Sequence, residues 1–512
     1  MNCLDLSANT RDDKFRKIVV RSRDKNENDI HDDSKDIQLE SKDYINADIE
    51  KPNKFVTEEA LEMLEKTLNN FNSLTYPDSN TIEKPKTPLI TPSSRFESIG
   101  FARYLASVHI VMGHLYQAGH LPGFHNFSTF GFTWVPWFFL LSGFILSTAE
   151  AQRSKKQHDA LDYVLRRLQT IYPTYLLGIF ISIITAGFLK GPQSLPPSVD
   201  MFMYIFLLQS WVPSLVEKGC IYLTQCWFLT CLVFYWAIFF HIQAFINKLN
   251  PKDLLYLVII TSLILPILYH LSAFGQQDWY NDHKYLRSSE GADVAVLILK
   301  YNPLAYLHIF TLGCCLPQIQ RMIQSLTYFK YIARYMASVA YASMLMLFLY
   351  SSGDILLGFK LGMRLGAISS LQSLLLLGLC NEQDWIAYLF SSPILSRLGD
   401  ISFSQYVFQF LVWEWYESIT NNTIADIRFF MLLFTTSVLI SAIITPFNNR
   451  ENLSRLFVLA STYLIVYSIS QPLLSAPAVQ SHIKYATVYN PPAYFNDTPL
   501  VFNIKGTIFF IN

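Results

Sequence analysis

From about residue 99 onward, the sequence passes repeatedly through apolar stretches that are long enough to cross a lipid bilayer. A spanning helix needs about 20 mostly apolar residues, because the hydrocarbon layer is about 30 Å thick. We predict ten to eleven transmembrane helices, at approximately 99–118, 131–149, 172–189, 226–247, 253–273, 302–319, 334–352, 364–382, 402–418, 428–447 and 455–472. The predicted fold class is therefore all-α, a polytopic membrane helical bundle.

Charged residues are concentrated before this apolar region. Only 15% of the 512 residues are charged and 51% are hydrophobic, whereas soluble domains carry about 25% charged residues. Nearly half of the 39 basic and 39 acidic residues lie before residue 98. We therefore predict that residues 1–95 are a polar, largely disordered tail. No basic run is interleaved with aromatic residues, so nucleic-acid binding is not indicated, and no Cys or His spacing indicates a metal site.

Basic residues occur in alternate loops between the predicted spans, and this pattern determines orientation because such loops remain cytoplasmic. The loop at 119–129 has no Lys or Arg. The basic loops contain Arg153, Lys155, Lys156, Arg166, Arg167, Lys248, Lys252, Arg321, Lys330, Arg397, Arg450 and Arg455. We therefore predict a multi-pass integral membrane protein with a cytoplasmic N-terminus, whose first helix runs outward. The sequence does not indicate which cellular membrane holds it.

Two polar side chains lie on one face of the first predicted span. Arg103 and His114 are 114 − 103 = 11 residues apart, which is about three helical turns and roughly 16 Å. A charge inside a spanning helix is costly, and its default interpretation is functional. Taken singly, Arg103 is also consistent with a residue that reaches to the membrane surface, and His114 with a histidine bonded to a neighbouring helix. Together they predict a site that an elongated ligand contacts at both ends.

Four motifs follow one another between residues 95 and 450. They are Arg103-x10-His114, WFFLLSGFILS at 137–147, RRLQTIYPTY at 166–175 and LGDISFSQYVFQ at 398–409. In this combination the sequence resembles the acyltransferase-3 superfamily of polytopic membrane enzymes. It departs from the family pattern in having only Glu97 as an acidic residue near Arg103. It also departs at four further positions. The family usually has arginine where this sequence has Thr170, and an acidic residue near the position of Leu232. It usually has histidine at the position of Gln409 and an acidic residue at that of Ile444.

The resemblance implies an O-acyltransferase that moves an acyl group, expected to be acetyl, from cytoplasmic acyl-CoA to a hydroxyl of a glycan or lipid. No permanently bound cofactor is implied, and no protein partner is indicated. The expected domains are a cytoplasmic tail at 1–95 and an acyltransferase-3-like membrane domain at 96–450. Residues 451–512 are expected to form an extra transmembrane helix and an extracytoplasmic tail. Membrane lipids are expected to surround the transmembrane helices.

The resemblance also implies roles for individual residues. His114 is the expected general base, since an attacking alcohol must lose its proton to a positioned group. Arg103, near the cytoplasmic end of its helix, is expected to contact a polar part of the donor. Arg166 and Arg167 flank the same cytoplasmic side and are expected to hold CoA phosphates; alternatively, they only set topology.

Ser142 and Trp227 are weaker candidates for substrate contacts. Ser142 interrupts an apolar helix, and together with Gly143 it is equally explained by close helix packing. Trp227 is a candidate for the acceptor side, and an interfacial aromatic position is the alternative.

Two other classes of function remain open at this stage. One is a membrane transporter in which Arg103 and His114 lie on a substrate or proton path, although no internal repeat is evident. The other is a catalytically silent acyltransferase relative that acts as a receptor or scaffold. A covalent serine mechanism is not indicated, because the chain lacks a GxSxG motif in a soluble domain.

The predicted orientation places the sequons at Asn421 and Asn496 outside the cytoplasm, where glycosylation occurs. In a eukaryotic secretory host, Asn421→Gln and Asn496→Gln should each remove one glycan, seen as increased gel mobility. Asn452→Gln is the control, because its sequon lies in a predicted cytoplasmic loop and its loss should not change mobility. Cleavage of an N-terminal tag by protease added outside intact cells would contradict this orientation.

Overall fold

We examined a computed structural model of the chain, which divides into two units, Met1–Thr87 and Pro88–Asn512. The structure describes residues 97–121, 125–151, 160–191, 194–218, 222–274, 297–325, 328–350, 360–381, 383–474, 500–504 and 507–511. The predicted disorder of residues 1–95 and the predicted glycosylation site Asn496 lie outside these residues.

The described part of the second unit is built mainly from α-helices. In chain order these are α1 (Glu97–Gln117), α2 (His125–Ser128), α3 (Trp134–Ala151), α4 (Ala160–Lys190), α5 (Ser198–Ile205), α6 (Pro213–Lys218), α7 (Trp227–Ile246), α8 (Pro251–Ile259), α9 (Leu265–Phe274), α10 (Pro303–Gln324), α11 (Phe329–Ile332), α12 (Met336–Tyr350), α13 (Lys360–Arg364), α14 (Ser369–Leu379), α15 (Trp385–Phe390), α16 (Pro393–Thr420), α17 (Ile427–Ile444) and α18 (Arg450–Leu474). Short 3₁₀ turns occur at Thr129–Thr133, Gln209–Trp211, Thr224–Cys226 and Thr445–Phe447, and a π-helical turn at Ile260–Ile264 joins α8 to α9. Near the C-terminus, β1 (Leu500–Ile504) and β2 (Thr507–Ile511) form an antiparallel hairpin.

Several helices begin at capping residues that the sequence supplies. The side chain of Asn302 accepts a hydrogen bond from the backbone N–H of Leu304 (3.0 Å), and Pro303 occupies the first helical position. Asn250 and Pro251 repeat this arrangement at the start of α8. Proline is tolerated there because the first N–H groups of a helix have no partner within the helix.

Six helices in the described part are long and apolar enough to cross a membrane: Asn126–Ala151, Leu161–Lys190, Thr224–Ile246, Pro251–Tyr269, Gly362–Leu379 and Ile427–Phe447. The prediction of a helical membrane bundle is therefore confirmed in this coarser form. The count of ten to eleven spans is not confirmed. The predicted spans at 334–352 and 402–418 fall on α12, which has only 15 residues, and on α16, which is rich in polar side chains.

Helix α17 has one buried face and one exposed apolar face. Its residues Met431, Leu439 and Ile443 are between 58% and 64% exposed, whereas Phe429 and Leu433 are buried. One face of the helix therefore packs on the bundle, and the other presents aliphatic side chains outward. Such a face is stable next to lipid tails and unfavourable in water.

The close approach of α3 and α10 depends on a pair of glycines. A Cβ atom added to Gly143 would collide with the carbonyl oxygen of Phe310, and one added to Gly313 would collide with that of Leu140. Between the same helices, the Ser147 hydroxyl donates to the carbonyl of Cys314 (3.0 Å). Small residues let helix backbones approach closely, which is a common means of packing helices in membranes.

A second glycine pair brings α1 against α16. A Cβ atom on Gly399 would lie 2.6 Å from both the Cα and the carbonyl oxygen of Gly100. A Cβ atom on Gly100 would lie 2.5 Å from the carbonyl oxygen of Ser396. The two helix backbones are therefore in direct contact at this point, which fixes how their polar side chains meet further along.

Replacing Gly313 should separate α3 from α10. We expect Gly313→Val to destabilise the protein by about 1–3 kcal/mol, the usual cost of overpacking a filled interior. The measurement is thermal unfolding of the detergent-solubilised protein. Gly187→Val in α4 is the matched control, because a Cβ atom there meets only Leu195 Cδ2 at 3.9 Å. Equal melting temperatures for the two variants would contradict the glycine contact.

Candidate functional site

Helices α1 and α16 lie side by side and run in the same direction. The Arg103 Nη2 donates to the carbonyl oxygen of Gly399 (3.2 Å). One turn later, the Ser107 hydroxyl donates to the carbonyl oxygen of Ser402 (3.0 Å). Residue numbers rise together along the two helices, so the face of α1 that carries the predicted site is covered by α16.

His114 continues this register and contacts Gln409 of α16. The His114 Nδ1 lies 2.8 Å from the Gln409 Oε1, and the Gln409 Nε2 lies 2.8 Å from the carbonyl oxygen of Tyr406. A carbonyl oxygen only accepts, so the amide nitrogen must donate to Tyr406 and the amide oxygen must face the histidine. The Nδ1 therefore carries the hydrogen, and in the neutral ring the Nε2 has the free lone pair.

The imidazole lies in the last turn of α1 and is half-buried. It is 114 − 97 = 17 residues from the start of the helix, or roughly 26 Å along its axis. Its ring packs on the ring of Phe410, with 5.2 Å between centroids. Among the residues that the structure describes, Gln409 is the one hydrogen-bond partner of this ring.

A second hydrogen-bonded contact holds the part of α16 that carries Gln409. The Gln225 side chain donates to the carbonyl oxygen of Val407 (2.9 Å). In return, the Tyr406 hydroxyl donates to the backbone carbonyl of Gln225. Gln225 lies in the 3₁₀ turn that precedes α7. The backbone next to Gln409 is therefore fixed from a third element.

Two buried histidines of the bundle have structural contacts. His109 is buried, accepts from the indole N–H of Trp134 at its Nδ1 (2.7 Å) and donates from its Nε2 to the carbonyl of Phe127 (2.7 Å). His308, also buried, donates from its Nε2 to the carbonyl of Leu365 (3.0 Å). In the described ranges, no group of three or more His, Cys, Asp or Glu side chains is placed to hold a metal ion.

Arg166 and Arg167 lie in the first turns of α4. Arg166 forms an ion pair with Asp162 four residues earlier, and its side chain is 45% exposed. The Arg167 guanidinium lies over the ring of Tyr163, 5.5 Å from its centroid. Both guanidinium groups are thus near the start of a candidate span, and each already has a local contact.

Ser142 and Trp227 lie within the packed bundle. The Ser142 hydroxyl accepts a hydrogen bond from the indole N–H of Trp236 (3.1 Å), while the adjacent Gly143 faces α10. Trp227 is buried and packs against the rings of Phe139 and Tyr306.

Asn421, the predicted glycosylation site within the described residues, ends α16. It is exposed and adopts a left-handed conformation with φ 52°. The backbone just beyond it is tied to the end of α1, because the N–H of Ala425 donates to the carbonyl of His120 (2.7 Å). The C-terminal ends of α1 and α16 therefore lie on the same side of the bundle.

Sequence reasoning missed one charged residue near His114. Arg364 is half-buried at the end of α13, and its guanidinium lies 5.6 Å from the centroid of the Phe132 ring. Gly131 of the same turn packs against Gly113, which directly precedes His114. The signal in the sequence was a lone arginine in the apolar stretch GFKLGMRLGAISS.

Comparison with known proteins identifies the family. A family model described as an acyltransferase domain matches residues 96–446, which is more than half of the chain. No curated protein and no solved structure gives a significant match. The matched segment begins just before α1 and ends after α17, so it contains Arg103, His114, Arg364 and Gln409. The chain therefore belongs to the acyltransferase-3 family.

Proposed function

We propose that this protein is an integral membrane O-acyltransferase that uses His114 as its general base. It moves an acyl group, expected to be acetyl, from cytoplasmic acyl-CoA to a hydroxyl of a glycan or lipid. One observation carries this proposal: the hydrogen bond from the His114 Nδ1 to the Gln409 Oε1, which leaves the Nε2 lone pair available. Membership of an acyltransferase family supplies the type of reaction.

In the proposed reaction, the acceptor hydroxyl gives its proton to the His114 Nε2 as its oxygen attacks the thioester carbon. The C=O electron pair moves to the carbonyl oxygen and forms a tetrahedral oxyanion. When this oxyanion collapses, the C–S bond breaks and the leaving sulfur takes the proton from His114. Gln409 is a positioning residue, because its amide oxygen accepts from the Nδ1–H throughout and keeps the Nε2 directed at the proton.

The donor is proposed to enter from the end of the bundle where α1 begins. Arg103 lies in the second turn of α1, and its guanidinium is anchored to the start of α16 through Gly399. Arg166 and Arg167 are proposed to hold CoA phosphates, since guanidinium groups match phosphate oxygens in geometry. The Asp162 carboxylate would have to release Arg166 for this to occur, and Arg167 would bind phosphate while it packs on the ring of Tyr163.

The acceptor is proposed to enter from the opposite end. His114 lies in the last turn of α1, close to the end that is tied to the segment after Asn421. With a cytoplasmic N-terminus, that end is extracytoplasmic. Donor and acceptor would then reach the imidazole from opposite sides of the membrane. The extended donor would span the distance between Arg103 and His114.

Loss of the imidazole should abolish catalysis. We expect His114→Ala to lower the rate of acyl transfer by about 10²–10⁴-fold, the usual contribution of a positioned base. The measurement uses purified full-length protein, labelled acetyl-CoA, and a panel of methyl glycosides and diacylglycerol as acceptors. His241→Ala is the matched control, because His241 is an exposed histidine on α7.

The results distinguish the three classes of function. A transporter or a silent scaffold would show neither acyl transfer nor acetyl-CoA hydrolysis in the wild-type protein. Transfer that is unchanged in His114→Ala would remove His114 from the mechanism and leave the family assignment in place. Loss of transfer in both His114→Ala and His241→Ala would indicate a general structural effect.

A further inference from the structure

Arg364 lies where a candidate span is interrupted. The span Gly362–Leu379 consists of α13, which ends at Arg364, and α14, which begins at Ser369. Between them, residues 365–368 form turns, and Gly366 has a φ of +98°. Interrupted helices at membrane depth occur where the freed backbone is buried in protein or lines a cavity, and they commonly border substrate sites.

Arg364 and His114 lie at the far ends of two segments that meet at their other ends. The Ser98 hydroxyl at the start of α1 donates to the carbonyl of Leu379 at the end of α14 (2.6 Å). From this contact, His114 is 114 − 98 = 16 residues away along α1, and Arg364 is 379 − 364 = 15 residues away along its own span. At about 1.5 Å per helical residue, His114 lies roughly 24 Å from this contact along α1. The helix Ser369–Leu379 covers roughly 15 Å of the other path, and the turn at 365–368 then leads to Arg364.

Contacts in the 3₁₀ turn Thr129–Thr133 connect the two segments. The Arg364 guanidinium lies over Phe132 in that turn. The neighbouring Gly131 packs against the turn of α1 that includes Gly113, so a Cβ atom on Gly113 would lie 3.2 Å from the Gly131 Cα. Gly113 directly precedes His114. This turn therefore lies between Arg364 and the end of α1 that carries His114.

The backbone beside Arg364 is held firmly. His308 of α10 donates to the carbonyl of Leu365 (3.0 Å), and both Leu365 and His308 are buried. Gly366 fits closely against α10, since a Cβ atom there would lie 2.9 Å from the Ile309 Cδ1. A side chain that is mounted on a rigid segment can present its charge in one direction without reorganising during a reaction.

An arginine in a spanning segment needs a functional reason, because the charge is costly there. The cost is greater beside His114, since a proton taken up by the imidazole would place two positive charges near each other in a medium of low dielectric constant. A negative charge that forms between them at the same moment would remove this repulsion. The tetrahedral oxyanion of acyl transfer is such a charge.

We propose that Arg364 is a catalytic residue that binds the oxyanion formed when the acceptor hydroxyl attacks the thioester. This rests on the proposed function. In the step, the hydroxyl proton moves to the His114 Nε2, the oxygen bonds to the acyl carbon, and the C=O electron pair becomes the negative charge that the Arg364 guanidinium contacts. As the C–S bond breaks, the charge leaves the oxygen, and the proton passes from His114 to the thiolate sulfur.

The test compares kcat and KM for wild-type protein, Arg364→Gln and Arg364→Met with labelled acetyl-CoA and the best acceptor from the panel above. Each neutral variant should lose about 10²–10³-fold in kcat, the usual effect of removing one oxyanion donor, with KM for acetyl-CoA and acceptor nearly unchanged. Arg364→Met also fills the space over Phe132, so it carries the same prediction if Arg364→Gln is unstable. Arg364→Lys should retain more activity than either neutral variant, because it keeps the charge.

Arg397→Gln is the matched control, since Arg397 is an exposed arginine of α16 and should behave like wild type. A neutral variant with wild-type kcat, or one with raised KM and unchanged kcat, would overturn the oxyanion role. If His114→Ala is inactive while Arg364→Gln is fully active, the general base stands and this inference alone fails. A wild-type protein with no transfer and no hydrolysis would overturn both proposals.

Discussion

The hydrogen bond between the His114 Nδ1 and the Gln409 Oε1 is the interaction on which the proposed chemistry depends. It determines which ring nitrogen carries the hydrogen, and so which one is free to accept a proton. The Tyr406 carbonyl holds the Gln409 amide in the orientation that makes this assignment unambiguous. Without that carbonyl, the amide could turn over and the histidine would have the opposite tautomer.

The backbone packing of α1 and α16 makes this hydrogen bond possible. Gly100 and Gly399 bring the two helices into direct contact, and the Ser107–Ser402 bond keeps them in register. At His114 the side chains then meet at hydrogen-bonding distance. Polar groups in a membrane bundle must be satisfied internally. Here the helices that carry polar groups face each other, while helices such as α17 expose aliphatic side chains on their outer face.

The sequence predicted the features that follow from local rules. Apolar length predicted the helical membrane bundle, and helical periodicity placed Arg103 and His114 on one face of α1, where both contact α16. Four motifs identified the family, which the family model confirms. The number of spans was less predictable, because interior helices such as α1 and α16 need not be apolar when they are covered by each other.

Contacts between distant segments were beyond the reach of the sequence. Gln409 was visible as a departure from the family pattern, but its contact with His114 joins residues 295 apart. Arg364 was assigned to the start of a predicted span, and only the packing of the turn that contains Phe132 links it to the end of α1 that carries His114. The buried surroundings of Trp227 were likewise invisible, since an aromatic residue at the start of a span is also typical of a membrane interface.

The most direct test of the account is the tautomer of His114, measured by NMR of the full-length protein with ¹⁵N-labelled histidine in lipid nanodiscs. The His114 signals are assigned by their absence in His114→Gln. The account predicts a neutral ring with a protonated Nδ1 and an unprotonated Nε2, and the loss of this single tautomer in Gln409→Leu. A ring with its hydrogen on Nε2, or one unaffected by Gln409→Leu, would contradict the central claim.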